Sequence, residues 1–541
     1  MSIFSKVAMP RPQHNTFDLS HSRKFSMSIG KITPTAIMEC VPGDSFNVKT
    51  TQLLRFAPLI APIMHQSSMY CHFFFVPNRL LWDNWEEYIT GGEDAADPGY
   101  TAPVFPYFQP ANAQPTADKT ILPGQLADYL GLPSGDTNAG VEFSGEKFSA
   151  LPFMAYNKIF NEYYRDQNLV DKVVDKAIDG QNTWTLADNN TLQNRAWQHD
   201  YFTSALPWTQ KGPEATIPLG TTAPLLNKTG SLDDYNLASQ VRRTDGTVIG
   251  ASGLETIGGI APASGFLSNS VTVGVNQMDI TNHTEVDLTD ATASSINDLR
   301  RAFRLQEWLE RNARGGSRYI EVIMAHFGVQ SSDARLQRPE FLGGSATPIT
   351  ISEVLQTSES RVAGAEETPQ GNMAGHGVSV GSSNYVSYKC EEHGYIIGLC
   401  TVMPKTAYQQ GIPKHFNKFD KFDYFWPSFA NIGEQPILNK ELYMDTTDGE
   451  NENVFGYTPR YAEYKYLPST VHGKFRSDLK FWHMGRIFGS RPNLNSTFVE
   501  CNEDEVDRVF NVTEGDENLY VYLHNHIKAR RPMPYFGTPT I

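Results

Sequence analysis

Ser68-Met-Tyr-Cys-His-Phe-Phe-Phe-Val76 is apolar on both of its alternating sides, as a strand covered on both faces must be. Tyr319 to Val329 and Tyr395-Ile-Ile-Gly-Leu-Cys-Thr-Val-Met403 have the same character, so three central buried strands are expected. Around these runs stand turns such as Val41-Pro-Gly-Asp44, Ala95-Ala-Asp-Pro-Gly99 and Leu132-Pro-Ser-Gly-Asp136. Short strands punctuated in this way predict a mainly β protein of the sandwich or jelly-roll kind.

Three stretches have helical spacing and read as helices inserted between strands. The first runs from Asn78 to Thr90 and stops at Gly91-Gly92; the second begins near Ser149-Ala-Leu-Pro152 and aligns Phe153, Tyr156, Phe160 and Tyr163. In the third, Ser295 and Asp298 make a capping-box-like start. Leu299, Phe303 and Leu309 line its face with Ala302 and Ala313 beside them, and Gly315-Gly316 end it.

The chain has 541 residues, 40% hydrophobic and 12% aromatic, enough to bury a large core. One β unit with long insertions is expected over residues 1–541. No run approaches the ~20 apolar residues of a membrane helix, and the start, Met1-Ser-Ile-Phe-Ser-Lys-Val-Ala-Met-Pro-Arg, has no signal-type apolar region. A soluble protein made in a cytoplasm, without membrane insertion, is therefore expected. The five cysteines (Cys40, Cys71, Cys390, Cys400, Cys501) are few and scattered. They suggest no disulfide framework, and Cys40, Cys71 and Cys400 read as small buried hydrophobes.

The net charge of −15 is unevenly spread. Residues 1–31 carry Lys6, Arg11, Arg23, Lys24 and Lys31 against Asp18, and residues 528–541 carry Lys528, Arg530 and Arg531 without an acid. Both ends read as basic arms. Residues 213–295 carry nine Asp and Glu against Lys228, Arg242 and Arg243, and hold two aromatics, Tyr235 and Phe266. So polar a stretch cannot bury a core and reads as a long surface excursion. Opposite charge in different regions predicts two differently facing surfaces.

Motifs for catalysis are sparse. Gly377-Val-Ser-Val-Gly381 matches a nucleophile elbow, but Gly371-Asn-Met-Ala-Gly-His376 precedes it where a buried strand is required. Cys390, His393 and Cys400 are too few for a structural zinc site. The adjacent carboxylates Glu86-Glu87 and Glu391-Glu392 point apart, and no phosphate-binding glycine loop is present. Neither an enzyme nor a cofactor is expected. In Leu519-Tyr-Val-Tyr-Leu-His-Asn-His-Ile527, a period of two sets Leu519, Val521, Leu523 and Ile527 apart from Tyr520, Tyr522, His524 and His526. The second set runs into Lys528, Arg530 and Arg531. Rings beside cations suit single-stranded nucleic acid bound without sequence reading, and equally a neighbouring subunit.

Long strings then resemble one family: Phe17-Asp-Leu-Ser-His21, Pro42-Gly-Asp-Ser-Phe46, Arg55-Phe-Ala-Pro-Leu59, His72-Phe-Phe-Phe-Val-Pro-Asn-Arg-Leu-Leu-Trp82 and Tyr163-Tyr-Arg-Asp-Gln-Asn168. Asp200-Tyr-Phe-Thr-Ser-Ala-Leu-Pro-Trp208, Ala313-Arg-Gly-Gly-Ser-Arg-Tyr319 and Asp333-Ala-Arg-Leu-Gln-Arg-Pro-Glu340 continue it. The chain resembles the major capsid proteins of microviruses, the small tailless single-stranded DNA phages, in their gokushovirus branch. The resemblance implies an eight-stranded jelly roll, a T=1 shell of identical subunits, circular single-stranded DNA inside, and partners such as a DNA pilot protein and a host receptor. It also implies a virion protein assembled in the host cytoplasm. It lapses over 213–295, the position of a variable threefold protrusion in that branch. That makes Lys228, Asp233, Asp234, Tyr235, Arg242, Arg243 and Phe266 candidates for receptor contact. Lys6, Arg11, Arg23, Lys24, Tyr520, Tyr522, His524, His526, Lys528, Arg530 and Arg531 become candidates for DNA contact on the inner surface. The reading from another class, prompted by 63 aromatics, is a β-rich carbohydrate-binding protein or glycoside hydrolase.

Overall fold

The computed structural model describes residues 13–92, 100–110, 119–135, 140–185, 190–213, 225–227, 241–242, 248–249, 284–286, 296–316, 318–358, 370–447, 449–511 and 517–536. The chain divides into two compact units, residues 1–211 with 310–541, and residues 212–309.

The larger unit is built on two antiparallel sheets. Its strands are β1 (Asn15–Asp18), β2 (His21–Met27), β3 (Thr33–Cys40), β4 (Ser45–Phe56), β5 (Ser67–Pro77), β6 (Glu340–Pro348), β7 (Thr350–Leu355), β8 (Met373–Ser382), β9 (Val386–Lys389) and β10 (Gly394–Pro404). After a separate hairpin, β11 (Glu434–Leu438) with β12 (Val454–Pro459), comes β13 (Leu519–Arg531). One sheet has the order β6-β5-β10-β3. The other runs β13-β4-β8-β7, with β1 and β2 end to end along β13, and β8 and β9 end to end along β4.

The Ser68–Val76 run lies in β5, between β6 and β10, as its two apolar sides require. The outer strands alternate instead. In β4, Phe46, Val48, Leu54 and Phe56 are buried while Asn47, Thr51 and Arg55 are exposed. The sheets meet through these inward rows: Phe46, Val48 and Ile527 of one pack with Met38, Phe73, Phe75 and Ile396 of the other. Leu54, Phe56, Leu519 and Leu523 pack likewise with Met69, Cys71, Cys400 and Val402. Two polar side chains buried between the sheets are paired with each other, the Thr50 hydroxyl donating to Asn525 at 2.9 Å and the Asn525 amide donating to the Thr35 carbonyl at 3.2 Å. A mainly β, sandwich-like protein is what the strand-and-turn pattern predicts.

The helices depart from expectation in instructive ways. Over 78–90 only α1 (Trp85–Thr90) is α-helical, after a 3₁₀ turn at Asn78–Leu80, and it stops at Gly91 with φ 85°. Another short helix, α2 (Leu126–Leu130), was not anticipated. The second expected helix is present as α3 (Leu151–Ile159), running on as a π turn over Phe160–Tyr164, with Phe153, Tyr156 and Phe160 buried. The third is α4 (Ile296–Gly315), where Leu309 and Ala313 are buried but Phe303 is exposed. Ser295, its expected cap, lies outside the described residues.

Tyr319–Phe327 overturns the expectation of a buried strand. It is a helix, α5, with no buried residue. Its β-branched Ile320, Val322 and Ile323 favour a strand locally, but the ends decide otherwise. The Arg318 backbone N–H donates to the Glu321 carboxylate at 3.1 Å, and Gly328 closes the helix at φ 68°.

The smaller unit contains two described antiparallel strand pairs, Leu225–Asn227 with Thr284–Val286 and Val241–Arg242 with Val248–Ile249.

Behind β5, the His72 ring accepts or donates at 2.8 Å to the Tyr164 hydroxyl, and the Arg195 guanidinium lies 4.5 Å from the Tyr70 ring. Burial, with Arg195 adding to it, lowers the His72 pKa from 6.5 to about 4. The unfolded chain binds this proton near pH 6.5 and the folded chain only near 4, so stability is unaffected above that window and falls as pH drops through it. Acidifying from pH 7 to 5 is expected to cost about 2 kcal/mol through this ring. Thermal melts of His72→Gln should show a correspondingly smaller loss; an unchanged acid limb would assign it to other groups.

Candidate nucleic-acid interface

The period of two in β13 is realised in full. Leu519, Val521, Leu523, Asn525, Ile527 and Ala529 are buried, whereas Tyr520, Tyr522, His526, Lys528 and Arg530 are exposed and His524 is half-buried. Because strand neighbours in register share a face, the partners of the exposed row can be read off directly. Tyr520 lies opposite Arg55, His526 opposite Lys49 and Lys528 opposite Asn47 on β4. On the other side Tyr522 lies opposite Lys24 of β2, and Lys528 opposite Asp18 of β1. On β9, Lys389 pairs with Ser45, which itself pairs with Arg530.

The outer face of the larger sheet thus carries Lys24, Lys49, Arg55, Lys389, Lys528 and Arg530. Among the described residues of its strands, Asp18 is the one carboxylate on that face. Hydrogen bonds from Ser20 hold Asp18 below the usual carboxylate range, with Lys528 and His526 contributing, so it stays ionised. Rings are interleaved with the cations. His524 and His526 meet edge to face at 4.2 Å, and the Lys49 ammonium sits 5.2 Å from the Tyr385 ring centre. A flat sheet surface offering ammonium and guanidinium groups among open rings can hold phosphates and stack bases, with no geometry that would select a sequence.

Two candidates fall on the opposite side. Arg23 pairs in register with buried Leu523, and its guanidinium donates to the Tyr129 carbonyl at 2.7 Å; burial lowers its pKa. Arg531 bonds the Glu39 carbonyl at 2.5 Å and pairs with buried Asp44 at 3.4 Å. Each is one residue out of phase with the exposed row, so both serve the fold. The basic ends are strands rather than free arms over 15–18, 21–27 and 519–531. Lys6 and Arg11 lie outside the described residues. The sequence reading missed Lys49, Arg55 and Lys389, although the alternation of Ser45–Phe56 marks Lys49 and Arg55 as outward. Of the receptor candidates, Lys228, Asp233, Asp234, Tyr235, Arg243 and Phe266 lie outside the described residues, and Arg242 is described only as part of a hairpin strand.

The motifs suspected of chemistry sit in structural places. Ser379 is buried within β8, its hydroxyl donating to the Pro348 carbonyl at 3.0 Å, so it is no strand-to-helix elbow. Cys390 packs in a cluster with Cys40, Cys400 lies 3.7 Å from Cys71, and His393 rests against the Trp85 ring; the three suspected ligands are dispersed. No helix among the described residues is long and apolar enough to cross a membrane.

The chain that carries this β-sandwich and its cationic, ring-bearing sheet face belongs to the phage family described as "Capsid protein (F protein)", whose model matches residues 5–541. It is similar to the capsid protein VP1 of Chlamydia phage 1, 35% identical over 592 residues with 99% of this chain and 97% of the relative covered. It is similar also to VP1 of Bdellovibrio phage phiMH2K at 34% identity (99% and 97%) and VP1 of Spiroplasma virus 4 at 32% (99% and 96%). The protein is a major capsid protein of the microvirus type, as the resemblance in its sequence leads one to expect.

Proposed function

We propose that the two sheets form an eight-stranded jelly roll which tiles a T=1 shell around single-stranded DNA, with the cationic sheet face turned to the genome. The strand orders support the jelly roll. Taking β2, β3, β4, β5, β6, β8, β10 and β13 in sequence, the sheets run β2-β13-β4-β8 and β3-β10-β5-β6, the order of two interleaved Greek keys. The role is structural and needs no catalysis or cofactor, and the protein resides in the virion after assembly in the host cytoplasm. Residues 213–295 project outward for receptor attachment, and a pilot protein joins the particle. The observation that carries the inner orientation is the face itself, where the described strand residues set six cations and two exposed tyrosines around one carboxylate.

Cryo-electron microscopy of purified particles tests this. The expected map has 60 copies per shell, the count of a T=1 icosahedron, with Tyr520 to Arg530 facing the lumen and Gly212–Leu309 on the exterior. A map with that strand on the outer surface would overturn the proposed orientation.

A further inference from the structure

The segment Lys414–Ala430 is ordered yet turns its rings outward. Phe416, Phe419, Phe422, Tyr424, Phe425 and Trp426 are all exposed, Phe419 at 85%. Nearby Tyr464, Tyr466 and Leu467 are exposed as well, Leu467 at 89%. These rings are not loose. The Trp426 indole donates to the Lys421 carbonyl at 2.8 Å, Phe425 meets Tyr461 at 5.0 Å, and Lys418 bridges to Glu463 at 3.0 Å while lying 3.9 Å from the Tyr464 ring centre. Phe416, Tyr464, Tyr466 and Leu467 also line a mostly apolar cavity of about 580 Å³. A pinned aromatic surface of this size is what a protein keeps for a partner.

Charge identifies the partner. Residues 414–426 with 460–480 hold eight Lys and Arg against four Asp and Glu, a net +4. Two such faces meeting across a twofold axis would repel, so the contact must be heterologous, with a complementary surface elsewhere. The same chain carries one. Tyr88 and Ile89 of α1, with Val104, Val174 and Ile178, form an exposed apolar patch, knit together by Lys176 to Asp83 at 2.5 Å and by the Trp82 indole donating to Asp179 at 2.6 Å. Residues 83–90 with 171–180 hold six Asp and Glu against two Lys, a net −4. The two patches rest on different core clusters, the first beside Tyr201, Phe202 and Tyr408, the second over Trp82 and Ala177.

We propose that a second copy of this chain occupies the aromatic, lysine-rich surface, presenting α1 and its acidic, apolar surroundings, so that the shell is built through a head-to-tail contact of these two patches. This rests on the reading of the chain as a shell subunit, and the unaltered protein, which must form particles, tests that reading separately.

The experiment is a charge exchange in the full chain, scored by sedimentation velocity and electron microscopy. Lys421→Glu with Lys465→Glu is expected to cut particle yield roughly tenfold or more, since like charges would now face each other. Glu86→Lys with Glu87→Lys should do the same, and all four changes together should restore most of the yield. Circular dichroism checks that each variant folds, and where a reversal does not fold, the glutamine versions of the same residues take its place, singly weakening assembly and no longer additive when combined. If the fourfold variant assembles no better than either pair, or if the lysine pair assembles like the parent, the contact is not this one.

Discussion

Replacing Arg486 with alanine is expected to lower the unfolding free energy of the unassembled chain by about 3–5 kcal/mol, the range for breaking a buried ion pair. This guanidinium is almost wholly buried, with Nε and Nη2 donating to the two carboxylate oxygens of Glu505 at 2.8 and 3.0 Å. Rings pack around it, Trp197 at 5.3 Å, Phe488 at 5.1 Å and Phe498 at 4.3 Å. Removing the side chain deletes the fork and the ring contacts together and leaves Glu505 without its partner. Glu505 is partly exposed and can be rehydrated, which places the loss toward the lower end of the range. Urea titration of Arg486→Ala measures it. Arg486→Met combined with Glu505→Leu should regain much of the loss, because apolar groups of similar volume need no pairing. A loss below about 1 kcal/mol for the alanine variant would mean that water reaches the pair.

The second large effect concerns nucleic acid. Neutralising Lys24, Lys49, Lys528 and Arg530 together is expected to weaken binding of an oligothymidylate about 200-fold at 0.15 M salt. Each phosphate contact to a single strand contributes about 0.7 to the slope of log affinity against log salt. Four contacts therefore lower the slope by about 2.8. Fluorescence anisotropy at several salt concentrations reads both numbers. Tyr520→Ala and Tyr522→Ala should weaken binding by about 1–3 kcal/mol per stacked base and leave the slope nearly unchanged. Arg23→Ala and Arg531→Ala supply the contrast, for they lie on the buried side of the same strands and should reduce stability without altering the slope. A quadruple variant with the parental slope would remove the sheet face from consideration.

How far the sequence could be read depended on whether the signal was local. Alternation in β13 and the doubly apolar β5 are local, because a strand's two faces are written in its own residues. The helix α5 was misread for the opposite reason. Its interior is β-branched and apolar, while the information that makes it helical sits in Arg318, Glu321 and Gly328 at its ends. Arg23 and Arg531 read as members of the cationic face because they are basic and near it in sequence, and a shift of one residue is enough to put them on the other side. Lys49 and Arg55 were overlooked because their strand has to be brought beside β13 by the fold before they join its cations. Pairing between residues as distant as Thr50 and Asn525, 475 apart, cannot be deduced from either segment alone.

That distance has a consequence for how the protein is made. β13 lies between β2 and β4, so the neighbours that flank it emerge from the ribosome long before it does. Until translation reaches residues 519–531, β2 and β4 have a gap between them, and the outward row of lysines and rings has no central strand to organise it. The sheet therefore closes only once residues 519–531 are available, and such non-local pairing is slow. A product that stops before residue 519 lacks both the strand that closes the sandwich and the exposed row from Tyr520 to Arg530.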